Sequence, residues 1–220
     1  MLKPGGLIAA VTLGALAALP LPAQTPTDLA DVCKVLGDAK LGQWASFDGS
    51  GGKIRLAVVG SERSGDSTLY WFEVKFAGKD PSKNGVVQIL TASLASGLEA
   101  PRALIIKGGS QPAMRISGEM AGMMGPKGGQ NTSAFDWASR CAGAHVVGWE
   151  SVTVPAGTFR ALHVTTEDGG EVWASREVPF GLVKTHGKQG DLALTGRGAD
   201  AKSSITEKPL EMPALPMPKD

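Results

Sequence analysis

Three histidines, two cysteines and a group of methionines are the residues of this 220-residue chain whose types could do chemistry. His145, His163 and His186 could transfer protons or bind a metal ion, but none belongs to a familiar metal-ligand spacing pattern. The chain also lacks GxSxG, HExxH and CxxC motifs and a phosphate-binding glycine loop. The sequence therefore nominates no catalytic residue, no cofactor and no metal site, and it predicts that the protein is not an enzyme.

The methionines are concentrated in the segment 112–124, where Met114 is the first of them. Apolar residues recur there at helical spacing (i, i+4, i+7 and i+8): Ile116, Met120, Met123 and Met124. This pattern predicts an amphipathic helix over residues 112–124. Its thioethers could bind Cu(I), repack against an apolar ligand, or fill an ordinary core, and the sequence leaves all three uses open.

The N-terminus has the pattern of a secretory signal peptide. Lys3 precedes an apolar run, Leu7–Leu19, that is too short for a resident membrane helix, and cleavage is predicted near Ala23. We therefore expect a protein of the periplasm or one that is secreted. Such compartments permit disulfides, so Cys33 and Cys141 are predicted to pair, with two unlinked buried thiols as the alternative.

The charge balance argues against a nucleic-acid partner. The chain has 22 basic and 21 acidic residues, and loss of the predicted leader removes Lys3 alone, which leaves 21 of each (22 − 1 and 21). No cluster of Lys and Arg provides the basic surface that a polyanion requires. Contact with a membrane is expected to be at most peripheral.

Most of the remaining chain has the pattern of β-strands. In Thr68–Phe76, for example, apolar residues alternate with Trp71, Glu73 and Lys75, as expected for a strand with one buried face. Strands separated by Gly- and Pro-containing turns are predicted at Gln43–Asp48, Lys53–Gly60, Thr68–Phe76, Val86–Leu94, Ala103–Lys107, Val146–Val154, Thr158–Thr166, Glu171–Ser175, Leu182–Thr185 and Asp191–Gly196.

These elements predict a mainly β (α+β) fold. We expect a single curved antiparallel sheet or an unclosed β-barrel, with a short N-terminal helix from Asp28 to about Lys40 and the methionine-rich helix as its cover. The predicted organisation is a signal peptide over 1–23, one β-rich domain over 24–206, and a Pro-rich, extended and mobile tail over 207–220.

Two adjacent segments resemble a known family. TVPAGTFRALHV (153–164) and EVWASREVPFGLVKT (171–185) resemble the C-terminal half of exported bacterial proteins with the lipoprotein-localisation, LolA/LolB-like, architecture. Shorter similar stretches are GQWASF (42–47) and LYWFEV (69–74). The resemblance implies a strongly curved sheet, helices over its mouth, and an apolar cavity that holds acyl chains.

Together these inferences predict a non-enzymatic envelope protein that binds a lipid or a lipidated partner between its sheet and its helix. The helix side of this site would consist of Ile116, Met120, Met123 and Met124, and the sheet side of Trp71, Phe72 and Phe76. Two alternatives remain: a structural or interaction module with a filled core and no ligand, and a copper-handling protein that uses the methionines.

Overall fold

The computed structural model describes residues 39–92, 101–123, 143–188 and 190–212. The predicted signal peptide, the predicted disulfide between Cys33 and Cys141, and Met124 lie outside these residues. So does most of the predicted helix Asp28–Lys40, whose predicted last residue is not helical.

The described residues form one 12-stranded sheet. Its strands are β1 (Trp44–Gly49), β2 (Gly52–Ser64), β3 (Ser67–Ala77), β4 (Gly85–Thr91), β5 (Ala103–Gly108), β6 (Met114–Ser117), β7 (His145–Val154), β8 (Gly157–Thr165), β9 (Glu171–Ala174), β10 (Leu182–His186), β11 (Leu192–Gly198) and β12 (Leu210–Glu211). A single α-helix in the described ranges, α1, covers Gly118–Met123, and Pro81–Lys83 forms a 3₁₀ turn. The mainly β prediction is confirmed, and β1–β5 and β7–β11 lie where the sequence predicts strands.

The sheet consists of two antiparallel meanders joined edge to edge. Strands β1–β6 follow one another in sequence order, β7–β11 do the same, and β1 pairs with β11. The short β12 adds a parallel strand beside β6. The ends of the sheet, β12 and β7, do not pair with each other, so the predicted unclosed sheet is confirmed.

The predicted helix over 112–124 is wrong in its first half. Met114–Ser117 forms β6, which pairs with β5, and the helix is limited to Gly118–Met123. A strand is favoured there because it directs Ile116 and Arg115 to opposite sides of the sheet. Ile116 packs in an apolar cluster, and Arg115 lies over the ring of Trp71. Gly118 marks the change, since a Cβ there would lie 2.5 Å from the Pro101 carbonyl oxygen.

The concave faces of the two meanders pack against each other. We call this concave side of the sheet the inner face. The sheet curls enough for β7 to contact β10 and β11. Apolar side chains from both meanders fill this core: Phe47, Val58, Phe72, Val74 and Ile89 from β1–β4, and Val152, Val154, Phe159, Trp173, Val183 and Leu194 from β7–β11.

The opposite, outer face of β2–β6 is covered by residues 199–212, which we call the strap. The strap begins beside β1, where Ala201 N–H donates to the Gly42 carbonyl, and ends as β12 beside β6. Its Ile205 joins a second apolar cluster with Leu69, Trp71, Val86, Leu90, Ala103, Ile105 and Ala113. Residues 207–212, assigned to the tail from the sequence, thus belong to the sheet and its cover, while 213–220 lie outside the described residues.

Candidate ligand-binding face

A continuous row of apolar side chains crosses the inner face of β3–β6. Phe72 pairs with Ile89, Ile89 with Leu104, and Leu104 with Ile116. Because direct cross-strand partners point to the same side of a sheet, these four side chains lie next to one another. We call them the apolar row. Its three strand spacings span about 14 Å, a length suited to an extended acyl chain.

The helix α1 lies over one end of this row. Met120 and Ala121 pack with Ile116 in a small buried cluster that Leu104 also contacts. Ser117 caps the helix, since its Oγ accepts from Met120 N–H at 3.3 Å. An isolated helix of six residues is not stable in water. The cover on this end of the row therefore depends on a few apolar contacts.

The loop between β9 and β10 lies at the other end of the row. Phe180 packs its ring against Phe72, with centroids 5.4 Å apart. Its φ of 64° is in the left-handed region, which costs a non-glycine residue about 1–3 kcal/mol. The hydrogen bond from Ser175 N–H to the Gly181 carbonyl closes the loop and holds this conformation.

The structure brings three of the predicted site residues together and separates others. Phe72 and Ile116 are buried members of the apolar row, and Met120 is buried beside it. Phe76 is on the same face but lies near the C-terminal end of β3, where it pairs with Ile54 and Gly85. Trp71 lies on the outer face, where its Nε1–H donates to Glu62 at 2.8 Å. The side chain of Met123, like Met124, is outside what the structure describes.

The methionines that are described do not share one cluster. Met114, in β6, is 40 % exposed and pairs with Ile106 and Leu210, whereas Met120 is buried in α1. Within the described ranges, no group of three or more His, Cys, Asp or Glu side chains could hold a metal ion. Copper binding through methionine thus stays a prediction without a geometric observation behind it.

His163 sits among polar and aromatic groups on the C-terminal meander. Its ring stacks on Trp173 at 4.4 Å, Nδ1 lies 3.6 Å from a Glu150 oxygen, and Nε2 lies 3.3 Å from a Glu171 oxygen without hydrogen-bond geometry. His163 is not a solvated strand histidine, because only 14 % of its side chain is exposed. Both ring nitrogens face carboxylates, and the ring packs on Trp173.

The other histidines do not add to that cluster. His186 lies on β10, two strands from His163, and pairs with Asp191 at 2.7 Å, with more than half of its side chain exposed. His145 is exposed at the start of β7. The fold therefore does not bring His163 and His186 together.

The strap is fixed to the outer face by buried and exposed polar contacts. The carboxylate of Glu73, 1 % exposed, accepts from Gln88 Nε2, Ser204 N and Ser204 Oγ, each at 2.8 Å. At the strap's start, Trp44 Nε1–H donates to Asp200 at 2.7 Å, and this bond holds the pKa of Asp200 below its usual value. Further along, a hydrogen bond from Lys107 likewise lowers the pKa of Glu207.

Comparisons with known proteins give structural alignments at low similarity. No family model and no curated protein matches the chain. Among solved structures, a candidate lipoprotein from Parabacteroides distasonis aligns at 12 % identity and a TM-score of 0.36, covering 76 % of this chain and 99 % of that one. A candidate exported protein with a YmcC-like fold from Bacteroides fragilis aligns at 11 % identity and a TM-score of 0.34, covering 73 % and 97 %. Overlaps with such TM-scores do not establish a shared fold, so the resemblance to LolA/LolB-like proteins stays a prediction.

No helix in the described part of the chain is long and apolar enough to cross a membrane.

Proposed function

We propose that the protein is an exported, non-enzymatic bacterial envelope protein that holds the acyl chain of a lipid or a lipidated partner on its inner face. The observation that supports this proposal is the apolar row, which is continuous across four strands and lies between the Phe180 loop and α1. Export is supported by the signal-peptide pattern before Ala23.

An acyl chain reaches the row by displacing α1. Three of the four side chains in the row are buried and Leu104 is half-buried, and the described cover at the β6 end includes Met120 and Ala121 of this six-residue helix. Removing one such side chain from its contacts costs about 2 kcal/mol. Each methylene buried in its place contributes about 0.8 kcal/mol, so a chain with about eight buried methylenes gains about 6 kcal/mol. The gain in apolar burial exceeds the loss of one side chain's contacts, and the difference offsets part of the free energy that association costs.

The second candidate function is an interaction module with a filled core and no ligand. It is supported by the packing around Phe47, Phe159, Trp173 and Leu194, where the two meanders fill the inner face with their own side chains. In that case α1 would simply complete the core, and the protein would meet its partner at the surface.

Fluorescent fatty-acid binding separates the two functions. We expect uptake by the wild-type protein and about tenfold weaker binding by Leu104→Phe, because the larger ring occupies the space over the row that the acyl chain would fill. Leu56→Phe is the matched control, since Leu56 is also half-buried on the inner face but lies on β2. Lipid mass spectrometry of protein purified from its native envelope identifies the natural chain. No uptake and no bound lipid would contradict the proposal, and so would equal effects of the two variants.

A further inference from the structure

A cleft of about 600 Å³ lies at the end of the curved sheet where β1 begins and β11 ends. Its lining includes three cations, Lys40, Arg176 and Arg197, and one carboxylate, Glu177. Gln43 adds a neutral amide to the same wall. The cleft thus carries a side-chain charge of +2 (3 − 1), in a chain whose whole formal charge is only +1. An anionic group is the ligand chemistry that this distribution favours.

Arg197 is held in place before any ligand arrives. Its guanidinium donates to the backbone carbonyl of Glu177 and lies over the ring of Phe159, 5.0 Å from the centroid. Arginine has five N–H donors in a planar fork that matches carboxylate and phosphate. Its contact with the carbonyl uses part of that fork, and the residue remains exposed on the cleft side. Fixing the side chain in advance reduces the entropy lost on binding.

Phe180 connects this cleft to the apolar row. It lines the cleft together with Val178 and Pro179, and its ring packs on Phe72, the first member of the row. Its left-handed backbone conformation is strained, and such strain is concentrated at ligand-binding loops. An amphiphile with its charged end among the cations would therefore have its apolar chain directed at the row.

We infer that the cleft binds the anionic head group, a carboxylate or a phosphate, of the amphiphile whose chain lies on the inner face. This assignment rests on the proposed function, and it adds the chemical class of the ligand. A neutral amphiphile of equal chain length gains the apolar contacts and none of the charge-assisted hydrogen bonds.

The test compares a long-chain fatty acid with the fatty alcohol of equal length, and adds inorganic phosphate as a free anion. We expect the wild-type protein to bind the acid about tenfold more tightly than the alcohol. Lys40→Gln lowers this preference to about threefold and leaves alcohol binding unchanged. Glu177→Gln raises the preference for the acid over the alcohol, because it removes the one carboxylate of the cleft. Lys53→Gln is the matched control, because Lys53 is an exposed lysine at the far end of β1–β2, beside Asp48.

The outcomes separate the head-group site from the acyl site. Equal affinity for acid and alcohol, or equal effects of Lys40→Gln and Lys53→Gln, overturns the anion site while the acyl site stands. If neither amphiphile binds, the proposed function fails, and phosphate then tests the cleft alone. Phosphate binding that is weakened by Lys40→Gln supports an anion site that takes free anions. If phosphate does not bind either, the anion site is overturned.

Discussion

The two faces of β3–β6 are completed by different means. The outer face is covered by the strap, whose Ser204 and Ile205 lie among Glu73, Trp71 and Ile105. The inner face, at its β6 end, is covered by the six-residue helix α1, and Met212 from the end of the strap packs against the same apolar cluster. Hydrogen bonds to a buried carboxylate need fixed partners, whereas apolar contacts are non-directional and can be exchanged for those of a ligand. The comparison indicates that the outer face is structural and that the inner face can accept a ligand.

The largest expected effect is on the outer face, at Glu73. Glu73→Ala should lower the free energy of unfolding by about 3 kcal/mol, because Gln88 and Ser204 lose their acceptor in a buried site. Glu73→Gln should have a smaller effect, since one acceptor oxygen remains. Urea unfolding measures both, and Glu167→Ala, an exposed glutamate on the β8–β9 turn, should change stability by less than about 0.5 kcal/mol. Equal effects at Glu73 and Glu167 would show that the strap is not anchored there.

Neighbouring residues of β5 give a direct comparison of the two faces. Ile105 is buried under the strap, while Leu104 is half-buried on the inner face. We expect Ile105→Ala to lower the free energy of unfolding by about 2.5 kcal/mol and Leu104→Ala by about 1 kcal/mol, in the absence of added lipid. The same urea measurement applies. A larger loss at Leu104 would mean that the inner face is the more tightly packed one, against the proposed exchange.

The smallest expected effect is a local response of the strap to acid. The folded-state pKa values of Asp200 and Glu207 are lowered from 3.8 and 4.5, so their stabilising contribution is complete above those values. It is lost as the pH falls through the lowered values. Hydrogen exchange should therefore show loss of protection in residues 199–212 below about pH 4, before β7–β9 respond. Simultaneous loss in both regions would assign the acid response to global unfolding.

Much of the fold could be predicted from the sequence because its strands have clear alternation and turn residues. The hairpin at Pro155–Ala156 is an example, with Val154 paired to Gly157 as the turn requires. β6 could not be separated from a helix by period, since Ile116, Met120 and Met123 also fit helical spacing. Pairing with β5 determines that Met114–Ser117 is a strand, and such pairing between separate segments is not visible in a local pattern.

The candidate site was predicted less completely than the fold. Alternation along β3 puts Phe72 and Trp71 on opposite faces, so the two cannot line one site together as the site prediction assumed. The alternation also gives no sign that the outer side is covered, whereas the strap buries Trp71 and Glu73. The mostly polar composition of 199–212 gave no signal that it crosses a sheet. Phe180 lies between the predicted strands Glu171–Ser175 and Leu182–Thr185, and no pattern in the sequence places its side chain in the inner core. Its role in the inner core follows from the left-handed backbone, which the sequence does not reveal.

The central claim is that an acyl chain binds the inner face and leaves the outer face unchanged. Methyl-labelled protein titrated with a long-chain fatty acid tests it by NMR, because isoleucine and leucine methyl groups lie on both faces of the same strands. We predict shifts for Ile89, Leu104 and Ile116 and none for Ile105 and Ile205. Absent shifts along the apolar row, or equal shifts on both faces, would contradict the claim.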